Sequence, residues 1–162
     1  MYIRPAVDGD LKTILNIYSH AREQMRLMGN PAQWGNDRPS PETVRADLAA
    51  GESFVVIEKD IVCGVFAFIL GDDPTYRVIE DGAWPNDATY GTIHRIASDG
   101  RTRGILRAAL SFCQERTDNI RIDTHEDNKP MLHLLEKYGF QKCGRIYVED
   151  GTARIAWQKT LR

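Results

Sequence analysis

Between Ile93 and Leu110 the chain runs Ile-His-Arg-Ile-Ala-Ser-Asp-Gly-Arg-Thr-Arg-Gly-Ile-Leu-Arg-Ala-Ala-Leu. This predicts a short apolar strand, a basic turn containing glycine, and the opening of an amphipathic helix over 103–116. Such a unit sets a helix N-terminus at the carboxyl end of a strand, the usual ligand crevice of an open α/β sheet. Helix N-termini present unpaired backbone N–H groups and the positive end of the dipole, so they attract anions. Arg101 and Arg103 in the same turn sharpen that bias toward a phosphate or pyrophosphate. Gly104 lets backbone approach the ligand with no Cβ in the way. A solvated, capped helix start is the alternative reading of the same residues.

The elements around this unit are predicted by turn and cap signals. Tyr2 to Ala6 forms a first strand, and Asp8 is placed to cap a helix carrying Leu11, Ile14, Leu15, Ile17 and Tyr18 at helical spacing. The stretch from Gly29 to Pro41 is a loop, and Ser40-Pro41-Glu42 starts a second helix that Gly51 ends. Strands follow over Ser53 to Glu58 and Ile61 to Leu70, joined by a tight Lys59-Asp60 turn. Residues 71–90 make a polar connection. Beyond the central unit come a strand over 120–124, a helix over 129–138 ended by Gly139, and a hairpin of 141–148 with 153–159. The order β-α-α-β-β-β-α-β-α-β-β predicts an α/β fold with a mixed sheet, and no linker, repeat or low-complexity tract divides residues 1–162 into more than one domain.

Composition narrows the function classes. A length of 162 residues allows a sizeable core, and a net charge of −2 gives no reason to expect nucleic acid as a partner. The longest apolar run, Val65 to Leu70, is far too short to span a bilayer. The segment from Met1 to Asp8 lacks the apolar core of a signal peptide. Cys63, Cys113 and Cys143 are odd in number and widely spaced, which matches neither a disulfide framework nor a zinc site. A cytoplasmic protein without membrane or metal partners is therefore expected.

A second segment, Ile120-Arg-Ile-Asp-Thr-His-Glu-Asp-Asn128, precedes Met131-Leu-His-Leu-Leu-Glu-Lys-Tyr-Gly-Phe140. Together with Arg101-Thr-Arg-Gly104-Ile-Leu106, the pair resembles the GNAT superfamily of acyl-CoA-dependent N-acetyltransferases. The resemblance covers most of the chain. It implies a central mixed sheet of about six or seven strands flanked by about four helices. It also implies acetyl-CoA as co-substrate, an amine of a small molecule or peptide as acceptor, and a possible homodimer. By resemblance, the backbone around Ile96, Ala97 and Ser98 holds the pantetheine arm. The turn of Arg101, Thr102, Arg103, Gly104, Ile105 and Leu106 holds the pyrophosphate. Thr102 replaces a common glycine but acts through its N–H. Leu106 replaces a small residue, harmless if it points into the core and obstructive if it points at the phosphates. Asn128 stands where the family's asparagine reaches the cofactor, and it is equally an N-cap for the following helix. Leu135 stands where many members carry a tyrosine general acid.

Acyl transfer to an amine needs a base for the amine's proton. His94 is one candidate, since imidazole changes charge near neutral pH. Period-2 alternation places it on the same face as Ile96. The alternative is a half-buried strand histidine bonded to a neighbour. Asp123 is the other candidate base, or else a strand carboxylate paired with Arg121 or Arg145. Tyr138, one helical turn from Leu135, is either a substitute acid or a packing aromatic. CoA leaves as a thiolate, comparable to the free cysteine reference of about 8.5, so solvent can also protonate it. His125, Glu126 and His133 match no metal-ligand spacing. The connection 71–90 carries Asp72, Asp73, Glu80, Asp81 and Asp87 against Arg77, which is either an acidic rim steering a cationic amine or simply a soluble loop. Trp34 and Trp84 are candidate walls of an acceptor pocket. The predicted activity is direct acetyl transfer in a ternary complex. A domain that binds CoA as sensor or scaffold without turnover is the alternative, motivated by Leu106 and Leu135, and a structural module without cofactor is a third.

Overall fold

Every strand of the computed structural model, which describes residues 1–161, joins one seven-stranded sheet. In chain order the elements are β1 (Tyr2–Pro5), α1 (Leu11–Leu27), α2 (Pro41–Ala49), β2 (Ser53–Glu58), β3 (Ile61–Leu70), β4 (Gly91–Ser98), α3 (Ile105–Gln114), β5 (Asn119–Thr124), α4 (Lys129–Lys137), β6 (Gln141–Tyr147) and β7 (Ala153–Thr160). The strands lie in the order β1-β2-β3-β4-β5-β7-β6, and every pairing is antiparallel except β4 with β5. Element order and class are those the turn and cap signals predict.

Local chemistry explains most boundaries. Lys59 and Asp60 both adopt positive φ, 52° and 64°, the pattern a two-residue hairpin turn requires. Ser40 Oγ accepts the Thr43 amide at 3.2 Å, and Pro41 opens α2. Gly139, at φ 82°, ends α4 in the left-handed region. Two expectations change. Asp8 is exposed and does not cap α1; Asp10 occupies the cap position instead. Its carboxylate turns back to Arg4, at 2.8 and 3.0 Å, and to the Val7 amide at 2.9 Å. The helix expected over 103–116 starts later, at Ile105, because Gly104 has φ 86° and cannot be a helical residue.

Alternation distributes the apolar residues over both faces of the sheet. Val56, Phe66 and Ile93 pack with Ile105, Leu106, Ala109, Leu110 and Leu135 of α3 and α4. Their strand neighbours Val55 and Val65 pack with Ile14, Ile17, Tyr18 and Val44 of α1 and α2. A third cluster of Tyr76, Tyr90, Ile146 and Ala156 lies beneath the connection 71–90, which reaches the edge of β6 and pairs Glu80 with Arg145. Gly64 seats α3 closely on β3, since a Cβ there would stand 2.9 Å from Ile105 Cγ2.

The sheet opens at one place. β4 and β5 pair only at Gly91 with Ile120 and Thr92 with Arg121, and then part. β4 stays with β3, and between the Ala67–His94 and Val65–Ala97 pairs it carries one extra residue. Arg95 has φ 52° within that bulge. Tyr18 Oη donates to the Arg95 carbonyl at 2.8 Å, and the Arg95 guanidinium grips Asp47 of α2 at 2.7 and 2.8 Å. The extra residue is thus fixed from both helices, and from His94 onward β4 has no strand partner on its β5 side.

Candidate active site

The N-terminus of α3 stands at the carboxyl end of β4. The first helical bond runs from the Ala108 amide to the Gly104 carbonyl, so the amides of residues 105–107 lack an intrahelical acceptor. α2 and α4 are capped by Ser40 and Asn128, whereas among the described residues no side chain caps α3. A Cβ built on Gly104 meets nothing within 4 Å. Open backbone donors and the positive end of a dipole face outward here, which suits a polyanion. Arg101 is 68 % exposed and pairs with Asp99 at 2.7 Å, so its guanidinium can swing to a phosphate. Arg103 is exposed and borders two open clefts beside the turn. One, of about 480 Å³, is lined by Lys59, Cys63, Asp99, Arg101, Thr102 and Arg103 among others. The second, about 490 Å³, includes Ile3, Gly104, Arg107, Ser111 and Phe112. Neither cleft reaches His94 or Asp123. Ile105 and Leu106 both point into the core, so Leu106 leaves the turn clear.

The strand residues expected at the donor fall as follows. Ile96 is half-buried against the α3 cluster, Ala97 is buried in the cluster with α1, and Ser98 Oγ accepts the Gly100 amide at 3.0 Å. Asn128 caps α4, its Oδ1 accepting from the Met131 amide at 3.3 Å while its Nδ2 donates to Gln33 Oε1 at 3.0 Å. The capping alternative is therefore realised, and the loop after α1 is tied to it.

On the opposite face of the sheet lies a cluster that period-2 reasoning mislocates. His94 and Ile96 do not share a face: Ile93 and Ile96 both pack toward α3, while His94 is turned to the connection 71–90. The bulge at Arg95 breaks the alternation. His94 Nε2 lies 2.6 Å from Asp73 Oδ2, and the ring is 6.1 Å from that of Tyr76. Asp73 Oδ1 accepts from the Thr75 amide at 2.9 Å and from Thr75 Oγ1 at 2.7 Å, and the Asp73 amide donates to Tyr90 Oη at 2.7 Å. Burial pushes the Asp73 carboxyl up, but the hydrogen bonds from His94 and Thr75 outweigh it and hold it at about 2. Tyr76 Oη donates to Asp123 Oδ2 at 2.6 Å. Burial and the adjacent Asp123 charge push the Tyr76 phenol well above its ordinary range, so it stays a donor.

Asp123 thus bonds Tyr76 rather than Arg121 or Arg145. Arg121 is stacked between Trp84 and Tyr90, at 4.0 and 3.9 Å, and Arg145 pairs with Asp81 at 2.6 Å and Glu80 at 3.5 Å. Asp72 pairs with Arg77. The acids of 71–90 therefore largely serve to fix the connection. Trp34 packs edge-on against Tyr18 at 5.6 Å, whereas Trp84 donates to the Tyr76 carbonyl at 2.8 Å and packs under that ring. The two tryptophans belong to different clusters and do not form one wall.

Tyr138 is half-buried against the cluster of α3 and α4. Its carbonyl accepts from Lys159 Nζ, and Lys159 pairs with Ile120 at the start of β5. Leu135 is fully buried in the core. Among the described residues no group of His, Cys, Asp or Glu is arranged to hold a metal, and His125 Nδ1 accepts from the Asp127 amide at 3.0 Å. No helix among the described residues is long and apolar enough to cross a membrane.

Asp73 and Tyr76 were not singled out from the sequence as chemical groups. Asp73-Pro74-Thr75 does carry a local signal, an aspartate that binds the backbone two residues on. Nothing local points it toward His94.

Residues 1–141 match a family model described as an acetyltransferase (GNAT) domain. A GNAT-family acetyltransferase of Streptococcus agalactiae is similar at 32% identity, with a TM-score of 0.88 over 98% of this chain and 94% of that one. A ribosomal-protein-alanine N-acetyltransferase of Brucella melitensis is similar in fold, at 19% identity and a TM-score of 0.65, covering 99% of this chain and 100% of that one. So is yncA of Salmonella typhimurium, solved with acetyl-CoA, at 18% identity and a TM-score of 0.63, covering 99% and 93%. No curated protein sequence matches.

Proposed function

The chain belongs to the GNAT acetyltransferase family, and we propose that it transfers the acetyl group of acetyl-CoA directly to a primary amine of a small molecule or peptide. Residues 1–162 act as one domain, in the cytoplasm, with both substrates bound together. The observation that carries this reading is the gap between β4 and β5, with an uncapped helix N-terminus at one side and His94 at the other.

The pyrophosphate of the donor fits the turn of Arg101, Thr102, Arg103, Gly104, Ile105 and Leu106, through the amides of 105–107. The unpaired edge of β4 at Ile96, Ala97 and Ser98 suits the extended pantetheine arm, with Asn128 across the gap. CoA supplies an activated thioester. The amine must be neutral to attack it, and His94 takes the proton. A C–N bond forms, the C–S bond breaks, and the thiolate leaves, taking its proton from water or from Tyr138, since Leu135 has none to give. Asp123, held by Tyr76, draws the cationic amine toward the gap and is the alternative base. Trp34 borders the acceptor side, and Trp84 supports Tyr76 from behind.

Leu135 in the core favours one other reading, a domain that binds CoA without turnover. Thermal unfolding with CoA, followed by thiol release from acetyl-CoA over a panel of amines, separates them. At CoA a hundredfold above Kd the protein gains about 2.7 kcal/mol, or roughly 5–10 °C in Tm. Stabilisation with amine-dependent thiol release is expected. Stabilisation without release from any amine would establish the scaffold instead, and no stabilisation would remove both.

A further inference from the structure

The histidine–aspartate contact deepens this reading, and it rests on His94 being the base. Asp73 is held by more than its partner: both Thr75 donors reach Oδ1, and its own amide is fixed on Tyr90 Oη. Oδ2 is left for the imidazole, at 2.6 Å from Nε2. An ionised carboxylate only accepts, so Nε2 must carry the hydrogen. In the neutral ring the lone pair then lies on Nδ1. The pair is mostly shielded from water, with 20 % and 15 % of the two side chains exposed.

We propose that Asp73 is the positioning residue for His94, orienting the ring so that Nε2–H donates to Asp73 and Nδ1 presents its lone pair to the acceptor amine. As the amine loses its proton to Nδ1, the ring becomes a cation whose charge rests against the Asp73 carboxylate. Other groups face the ring less directly. Tyr76 stays neutral and spends its proton on Asp123, Arg95 is turned to Asp47, and Tyr18 is committed to the Arg95 carbonyl. Asp73 is thus the charge in direct contact with the ring.

Two measurements test this. Nitrogen-15 NMR of the unsubstituted protein, followed over pH, should show that the neutral ring carries its hydrogen on Nε2 and leaves Nδ1 bare, whereas a neutral ring protonated on Nδ1 overturns the proposal. Asp73→Asn keeps the size but removes the charge, and its amide can donate to Nε2 and favour the wrong tautomer. Turnover should fall on the order of 10- to 10³-fold, with the KM for acetyl-CoA unchanged. In this variant the same spectra should show the hydrogen of the neutral ring moving toward Nδ1. Parent turnover in Asp73→Asn overturns the positioning role. The NMR result stands whether or not the variant folds. If His94→Gln is inactive while Asp73→Asn keeps the parent turnover, only the positioning role fails; if His94→Gln is fully active, the base and its positioning fall together.

Discussion

Gly104→Asp is expected to weaken CoA binding at least about 10²-fold while the protein remains folded. The glycine stands at φ 86° at the N-cap position of α3, with open space where a Cβ would go. Aspartate tolerates the left-handed region better than most residues, so the backbone cost is about 1 kcal/mol. Its carboxylate can accept from the first amides of the helix, which recovers much of that cost as an N-cap. The same bond removes the donors that a pyrophosphate would use and sets a negative charge against it. Each charge-assisted hydrogen bond contributes about 1.5–3 kcal/mol, and 1.4 kcal/mol is tenfold in affinity. Gly104→Asn shares the strain without the charge and should lose less. Calorimetric titration of CoA into the folded variants measures both. Parent affinity in Gly104→Asp would remove the pyrophosphate from this turn.

His94→Gln is expected to lower turnover on the order of 10²- to 10⁴-fold. Glutamine keeps a hydrogen-bonding group of similar size against Asp73 but does not titrate. The KM for acetyl-CoA should barely move, because the donor amides belong to α3, beyond the gap. The acidic limb of the profile should flatten. Steady-state kinetics over pH reads both. Near-parent turnover with an unchanged limb passes the role to Asp123, and Asp123→Asn then becomes the decisive variant. If neither change matters, the amine loses its proton to water.

The two sides of the site differ in how far they could be read from sequence, and the difference is physical. The donor side depends on local chemistry. Gly104 at the end of a basic turn, the alternation into helical spacing at Ile105, and Asn128 before Pro130 all act within a few residues. The same holds for the hairpins, where Lys59-Asp60 and Glu149-Asp-Gly-Thr152 specify turns directly. The acceptor side depends on contacts between distant segments. A bulge is counted against the partner strand, and no glycine or proline marks the one at Arg95, so alternation placed His94 on the wrong face. Asp73 reaches His94 only because Tyr90 and Trp84 fold the long connection back onto the sheet. Tyr138 packs half-buried against the α3 cluster, a placement that helical spacing from Leu135 alone does not specify. Leu106 was undecidable from sequence because a helix's first turn has both a core side and a solvent side, and only packing chooses.

Donor and acceptor are expected to meet through the gap where β4 leaves β5. A crystal structure with acetyl-CoA bound tests it most directly. Pyrophosphate oxygens should stand within hydrogen-bond reach, about 2.7–3.2 Å, of the amides of residues 105–107. The pantetheine arm should run along the free edge of β4, with the thioester in the gap, facing His94. A pyrophosphate seated away from those amides, for instance in the cleft between Ile3 and Phe112, with the thioester outside the gap, would contradict it.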